Sequence, residues 1–265
     1  MKLGICANVC PESLVDEAVR VAASLKLEGM EVPAGEPHLP EAHDPDRVSA
    51  VKRVLDACGV RAIGLRTDFR IGAQAPASRR SVQLDEITRT ALLLGAGLIT
   101  VRCGAPAAGE ETSDALRRAA DELAALGGRA ADSGLRVAVE MRWDSLARDS
   151  AGALSLMELA AMDNLGIVYE PCFAPSGEDP AERIAAVLPR TFVVHVQDRK
   201  GAARESVPLG QGDGDLPAVL AALKASAYDG WVVLVSAAGT PSQRPAAVRD
   251  DLAYLRAALG DRLAS

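Results

Sequence analysis

The chain has 265 residues, enough for a sizeable core, and its 49% hydrophobic and 25% charged content excludes a disordered or fibrous protein. A formal net charge of -7 argues against nucleic acid or an anionic membrane as the main partner, since both need clustered positive charge. No apolar run approaches the ~20 residues that span a bilayer, and MKLGICANVC enters a strand without a signal-peptide core, so the expected location is cytoplasmic.

Short β-branched runs alternate with longer amphipathic ones along the chain. Leu3 to Cys6 reads as the first strand, and Ser13 to Leu25 as a helix with a stripe of Leu14, Ala18, Val21, Ala22 and Leu25. Gly29 to Val32 is a short second strand, and the helix Arg47 to Cys58 carries Val48, Val51, Val54 and Leu55 on one side and ends at Gly59. A third strand follows at Val60 to Leu65. Ser78 to Leu94 is helical by the spacing of Val82, Ile87, Leu92 and Leu93, and Leu98 to Val101 is the fourth strand. Thr112 or Ser113 suits the cap of a helix reaching Ala131.

Leu135 to Val139, Leu165 to Tyr169 and Phe192 to Val196 read as strands five, six and seven, with helices at Ser150 to Met162 and Pro180 to Leu188 between them. The seventh is a nearly continuous apolar run, TFVVHVQDR, as in strands buried on both faces. Leu216 to Ala225, Trp231 to Val235 and Arg244 to Leu259 supply a helix, an eighth strand and a last helix. Five cysteines at Cys6, Cys10, Cys58, Cys103 and Cys172 lack zinc-ribbon spacing and read as free thiols.

Eight strand and helix units without a linker point to an α/β protein, a (β/α)8 TIM barrel, as one domain over residues 1–265. A doubly wound sheet is the alternative, but no GxGxxG follows the first strand, and GQGDG at Gly210 to Gly214 lacks the residues of a phosphate loop. In a barrel the carboxyl ends of the strands share one mouth. That mouth would gather Cys6 and Asn8, Glu31, Arg66 and Asp68, and Arg102 and Cys103 from the first four strands. The last four would add Glu140 and Arg142, Glu170 and Cys172, His195 with Gln197 and Asp198, and Val235 with Ser236. Carboxylates, an imidazole and arginines converging in one place suit a hard divalent cation or an anionic substrate.

In order along the chain, LEGMEVP, LRVAVEM, NLGIVYEP, VVHVQD, VPLGQGDGDLPAVLAAL and YDGWVVLV resemble the strand segments of the xylose-isomerase-like barrels, the sugar isomerase and epimerase superfamily. The resemblance implies a metal site built from a carboxylate on strand five, an aspartate on six, a histidine on seven and a glutamate on eight. Here Glu140 and His195 match, Glu170 is one methylene longer, the last position is Val235, and a histidine often found after strand six is Phe173. The implied cofactor is a divalent metal, Mn or Mg, at an incomplete site of Glu140, Glu170 and His195, with a metal-free site as the alternative.

The resemblance also implies chemistry by proton transfer. Two-base epimerisation needs a second carboxylate where Val235 stands, which leaves single-base abstraction through an enediolate with Glu140, His195 and Glu170 as the reacting groups. Glu31, Arg66, Arg102, Arg142, Asp198 and Trp143 are the expected substrate contacts, the three arginines offering bidentate binding to a carboxylate or phosphate. Each arginine is as well explained by a loop-tying ion pair, and Phe69 and Trp143 by packing on the barrel rim. His38 and His43, in GEPHLPEAHDP, read as solvated.

The expectations are therefore an isomerase on a small polyhydroxylated or keto compound, a lyase of the dehydratase type on a cyclic keto acid or cyclitol, or a barrel without the metal that binds a small anion. The partner is a small molecule. Alanine-rich helix faces such as Ala119 to Ala131 suit either the barrel or a second copy of the chain, so a homo-oligomer stays open.

Overall fold

The β-branched runs form strands that close on themselves. In the computed structural model, which describes residues 1–73, 77–173, 178–240 and 242–263, the strands are β1 (Lys2–Cys6), β2 (Gly29–Pro33), β3 (Arg61–Ile71), β4 (Leu98–Cys103), β5 (Arg136–Glu140), β6 (Leu165–Tyr169), β7 (Thr191–Val196), β8 (Asp198–Lys200), β9 (Glu205–Val207) and β10 (Trp231–Leu234). Helices α1 (Val15–Ser24), α2 (Pro45–Ala57), α3 (Ala77–Leu94), α4 (Thr112–Ala131), α5 (Ser150–Ala160), α6 (Pro180–Val187), α7 (Leu216–Ala225) and α8 (Arg244–Leu259) lie between and after them. The barrel order is β1-β10-β7-β6-β5-β4-β3-β2, all parallel, while β8 and β9 pair antiparallel as a hairpin beyond β7. This is a (β/α)8 barrel, and the hairpin is an addition that periodicity does not reveal because each of its strands has only three residues.

Side chains two apart share a face of a strand, so each strand's inward residues climb the barrel in steps. The lower step is apolar: Ala138, Val168, Val193 and Val233 belong with Ile63 and Leu98 to one buried cluster in the lumen. Two residues further up, the same faces carry Glu140, Glu170, His195 and Val235. The foot of the barrel is closed by shape. A Cβ on Gly29 would sit 2.5 Å from the Trp231 ring, so glycine there lets the ring seal the end.

Acidic residues start several helices by accepting from the first free N–H groups, as Asp44 does from Asp46 and Asp179 from Ala181 and Glu182, each followed by proline in the first turn. The expected cap at Thr112 or Ser113 is not used; Glu111 precedes α4 and makes no side-chain cap.

Two helical stripes differ from expectation. On α1 the buried residues are Val15, Ala18, Val19 and Ala22, and Leu14 is half exposed. On α3, Val82, Leu92 and Leu93 are exposed whereas Leu84, Ala91 and Leu94 are buried, because small alanines and one leucine per turn suffice against the barrel. The alanine-rich face of α4 is used within the chain, with Ala119, Ala120, Leu123, Leu126 and Ala130 buried. β3 does not stop at Leu65 but runs to Ile71, with a register shift against β4 between Arg66 and Arg70.

Candidate active site

Glu31, Glu140, Glu170 and His195 sit at the carboxyl ends of β2, β5, β6 and β7, and all four are fully buried. His195 lies between two carboxylates: its Nε2 donates to Glu31 Oε2 at 2.6 Å and its Nδ1 to Glu170 Oε2 at 3.2 Å. Carboxylates only accept, so both bonds together require the imidazolium. Burial pushes the imidazole pKa down, but the Glu31 charge and the hydrogen bonds from Glu170 and Glu31 more than reverse this, leaving it raised to about 10.

Glu140 is held from the other side. Arg66 Nη2 donates to its Oε1 at 2.8 Å, and Arg142 Nη1 approaches the same oxygen at 3.4 Å. Burial alone would raise this carboxyl, yet the charges of Arg66 and His195, the Arg66 hydrogen bond and the Arg142 charge lower it to about 2. Gln197 Nε2 donates to Glu170 Oε1 at 3.0 Å, while its own oxygen accepts from Arg199 at 3.0 Å and from Ser236 at 2.9 Å. The Cys172 thiol also donates to Glu170 Oε1, at 3.4 Å, and burial pushes its pKa far up, so it is no thiolate nucleophile. Two carboxylate oxygens, Glu31 Oε1 and Glu140 Oε2, are buried without a hydrogen-bond partner.

Above this cluster opens a cavity of about 590 Å³ lined by Arg66, Arg102, Arg142, Arg199 and Arg244, together with Gln197, Ser236 and Asn8. Arg102 pairs at 2.9 Å with the exposed Asp68, and Arg142 stacks on Phe173, 4.6 Å from the ring centroid. Where the resemblance leads one to expect a histidine, a phenyl ring thus supports a guanidinium. Val235 also lines the cavity, leaving an apolar patch at the eighth barrel strand.

The expected residues therefore divide. Glu31, Glu140, Glu170 and His195 form the buried floor, and Arg66, Arg102 and Arg142 form the wall above it. Asp198 is committed elsewhere: its carboxylate accepts from the backbone N–H of Arg199 at 3.1 Å, Gly210 at 2.9 Å and Gly212 at 2.9 Å. It holds the GQGDG loop, and a Cβ on Gly212 would collide with it. Trp143 is 55% exposed and is not among the residues lining the cavity. His38 is buried rather than solvated, donating from Nδ1 to the Ser13 carbonyl at 2.9 Å. Arg199 and Arg244 were not anticipated. Arg199 stands two residues after Gln197, the signal that could have found it, whereas Arg244 reaches the wall from the start of α8 with no local signal.

A family model described as "Xylose isomerase-like TIM barrel" matches residues 19–258. The chain belongs to the xylose isomerase-like TIM barrel family. Among solved structures, this xylose isomerase-like barrel is similar to the IolI protein with a bound zinc atom, at TM-score 0.84 and 15% identity, covering 100% of both chains. It is also similar to the 3-keto-D-glucoside 4-epimerase YcjR of E. coli, at TM-score 0.78 and 20% identity over 97% of this chain and 99% of that one. A third is the probable 3-DHS dehydratase AsbF of Bacillus anthracis, at TM-score 0.78 and 14% identity over 96% and 98% of the two chains. At such identities the likeness speaks for the fold. No curated protein matches the sequence.

Glu140, Glu170 and His195 each offer a ligand atom, and these lie within 4.8 Å of one another, so the cluster could hold a metal ion. Its present bonding does not fit one. Both ring nitrogens of His195 face carboxylates, one Glu140 oxygen faces two guanidiniums, and the eighth barrel strand offers Val235 in place of a ligand. Three carboxylates face Arg66, the imidazolium and Arg142, the last of which is shared with Asp144 at 3.1 Å.

Proposed function

We propose that this barrel binds a small polyhydroxylated or keto compound bearing a carboxylate or phosphate, and moves a proton beside its carbonyl through an enediolate. The observation that carries this reading is the cavity lined by five arginines, two of which, Arg66 and Arg142, reach the buried Glu140. Arg66, Arg102 and Arg142 bind the anionic group and the oxyanion that develops, since planar guanidiniums suit both. Glu140 takes the proton. In the resting site it is a weak base because Arg66 and Arg142 press on Oε1. A substrate anion that draws those guanidiniums to itself restores its basicity, coupling binding to proton removal. Glu140 then returns the proton to the neighbouring carbon, while the His195 imidazolium, its ring fixed by Glu31 and Glu170, supplies positive charge beside the carboxylates.

With Val235 in the wall, one side of the substrate lacks a second base, which favours isomerisation or dehydration over two-base epimerisation. The dehydratase and epimerase relatives lend support to sugar-like and cyclic keto substrates. Free cysteines throughout suit a reducing, cytoplasmic setting. The closeness of Glu140, Glu170 and His195 favours a second reading, in which Mn or Mg assists the same proton transfer.

Deuterium uptake from heavy water into a panel of keto acids and phosphorylated ketoses tests the proposal. Wild type should exchange, and Glu140→Gln should slow exchange by about 10²- to 10⁴-fold. No uptake with any member of the panel would sink proton-transfer chemistry and leave a small-anion binder. Exchange that disappears with chelator and returns with Mn would favour the second reading.

A further inference from the structure

We propose that Arg66 serves this site as its built-in cation, and that its guanidinium keeps a divalent metal ion out of the Glu140, Glu170 and His195 cluster. The extended β3 places it there. Because the strand continues past Leu65 to Ile71, Arg66 is held by sheet pairing with Thr100 of β4 and not by a loop. Its side chain is nearly buried, and Nη2 lies 2.8 Å from Glu140 Oε1. A divalent ion coordinated by Glu140 would compete for the lone pairs of that carboxylate and would repel the guanidinium beside it.

The rest of the cluster is arranged around the same substitution. Arg142 comes to 3.4 Å of the same Glu140 oxygen and is backed by the Phe173 ring, so a second cation reinforces the first. His195 turns Nε2 to Glu31 and Nδ1 to Glu170, so a metal bound at the ring would have to displace one of these hydrogen bonds. Val235 packs into the apolar cluster of the lumen, where a fourth oxygen ligand would otherwise enter. A guanidinium cannot step aside by losing its proton, and it donates hydrogen bonds where a metal accepts lone pairs. The two cations therefore suit different chemistry: Arg66 orients an anion through N–H groups and generates no hydroxide. This inference holds whatever molecule the cavity takes.

The test is a titration of chelator-stripped protein with Mn²⁺, following the free ion by electron paramagnetic resonance. Wild type and Val235→Glu should leave the free-ion signal unchanged, because Arg66 is present in both. Arg66→Met should take up one Mn²⁺ per chain, about ten- to a hundredfold tighter than wild type, and Arg66→Met with Val235→Glu should bind tighter still. Adding Glu140→Gln to Arg66→Met should abolish the uptake. The proposal is overturned if wild type takes up one Mn²⁺ per chain in a manner that Glu140→Gln removes, if Val235→Glu binds it with Arg66 in place, or if folded Arg66→Met binds no better than wild type. Should Arg66→Met fail to fold, the wild-type and Val235→Glu titrations decide. Failure of deuterium exchange would remove the proton-transfer reading and leave this result standing.

Discussion

The lower and upper halves of the barrel lumen are built from the same strands by opposite means. Below, Ile63, Leu98, Ala138, Val168, Val193 and Val233 fill the space with methyl groups, and Trp231 closes the foot against Gly29. One step higher the same strand faces deliver three carboxylates and an imidazole, and order there comes from charge pairing through Arg66, Arg142 and His195. Apolar packing has no direction, so the lower half needs only the right volume. Charge pairing is directional and needs every partner, which leaves oxygens such as Glu31 Oε1 and Glu140 Oε2 unpartnered and a cavity above them. The half that packs holds the barrel; the half that pairs is the half equipped for chemistry.

The difference can be tested by breaking one member of each half. The largest loss is expected above: Arg66→Met strands a buried Glu140 charge and should destabilise the metal-free protein by about 3–5 kcal/mol. Adding Glu140→Gln should recover part of that loss, because the stranded charge goes with it. Urea unfolding of the four proteins of this cycle measures the coupling, and strict additivity would show that the pair is not the organising contact.

Below, Leu98→Ala should cost about 2–5 kcal/mol through lost burial and the cavity left behind. That loss should vary little with pH, since Cys6 is the one titratable member of the cluster and burial keeps its thiol protonated. Thermal melts in a series of buffers check it, and a pH-dependent penalty would argue that the two halves are coupled.

The smallest effect expected is a pH dependence confined to the upper half. His195 is raised from 6.5 to about 10, so its contribution to stability is whole below pH 6.5 and is lost as pH rises through about 10. Glu140 is lowered from 4.5 to about 2, so its contribution is whole above pH 4.5 and is lost as pH falls through about 2. His195→Gln should therefore flatten the alkaline limb of the melting curve and weaken the acid limb without removing it, since Arg66 still holds Glu140 down. An unchanged alkaline limb in that variant would mean that His195 is not held as the imidazolium.

By itself the sequence determined the eight barrel strands and the chemistry-bearing residues near their ends, though not the β8–β9 hairpin or the extension of β3. Apolar, β-branched runs such as TFVVHVQ and RVAVE are a local signal that needs no distant partner to be read. The order of segments was enough for the family resemblance, and Val235 and Phe173 could be read as departures from it. Helical faces were less legible on α1, where alanine and valine crowd every side, and on α3, where three successive leucines end the helix and only the barrel decides which of them it covers. The pairings were decided by tertiary structure alone. His195 meets Glu31 across 164 positions because the first and last strands close the ring, and Arg66 meets Glu140 across 74 because β4 pairs with both of their strands. The structure also shows Asp198 binding its own loop and Trp143 exposed, neither of which the strand pattern reveals. A side chain's partner is set by where distant backbone carries it, and no local pattern contains that distance.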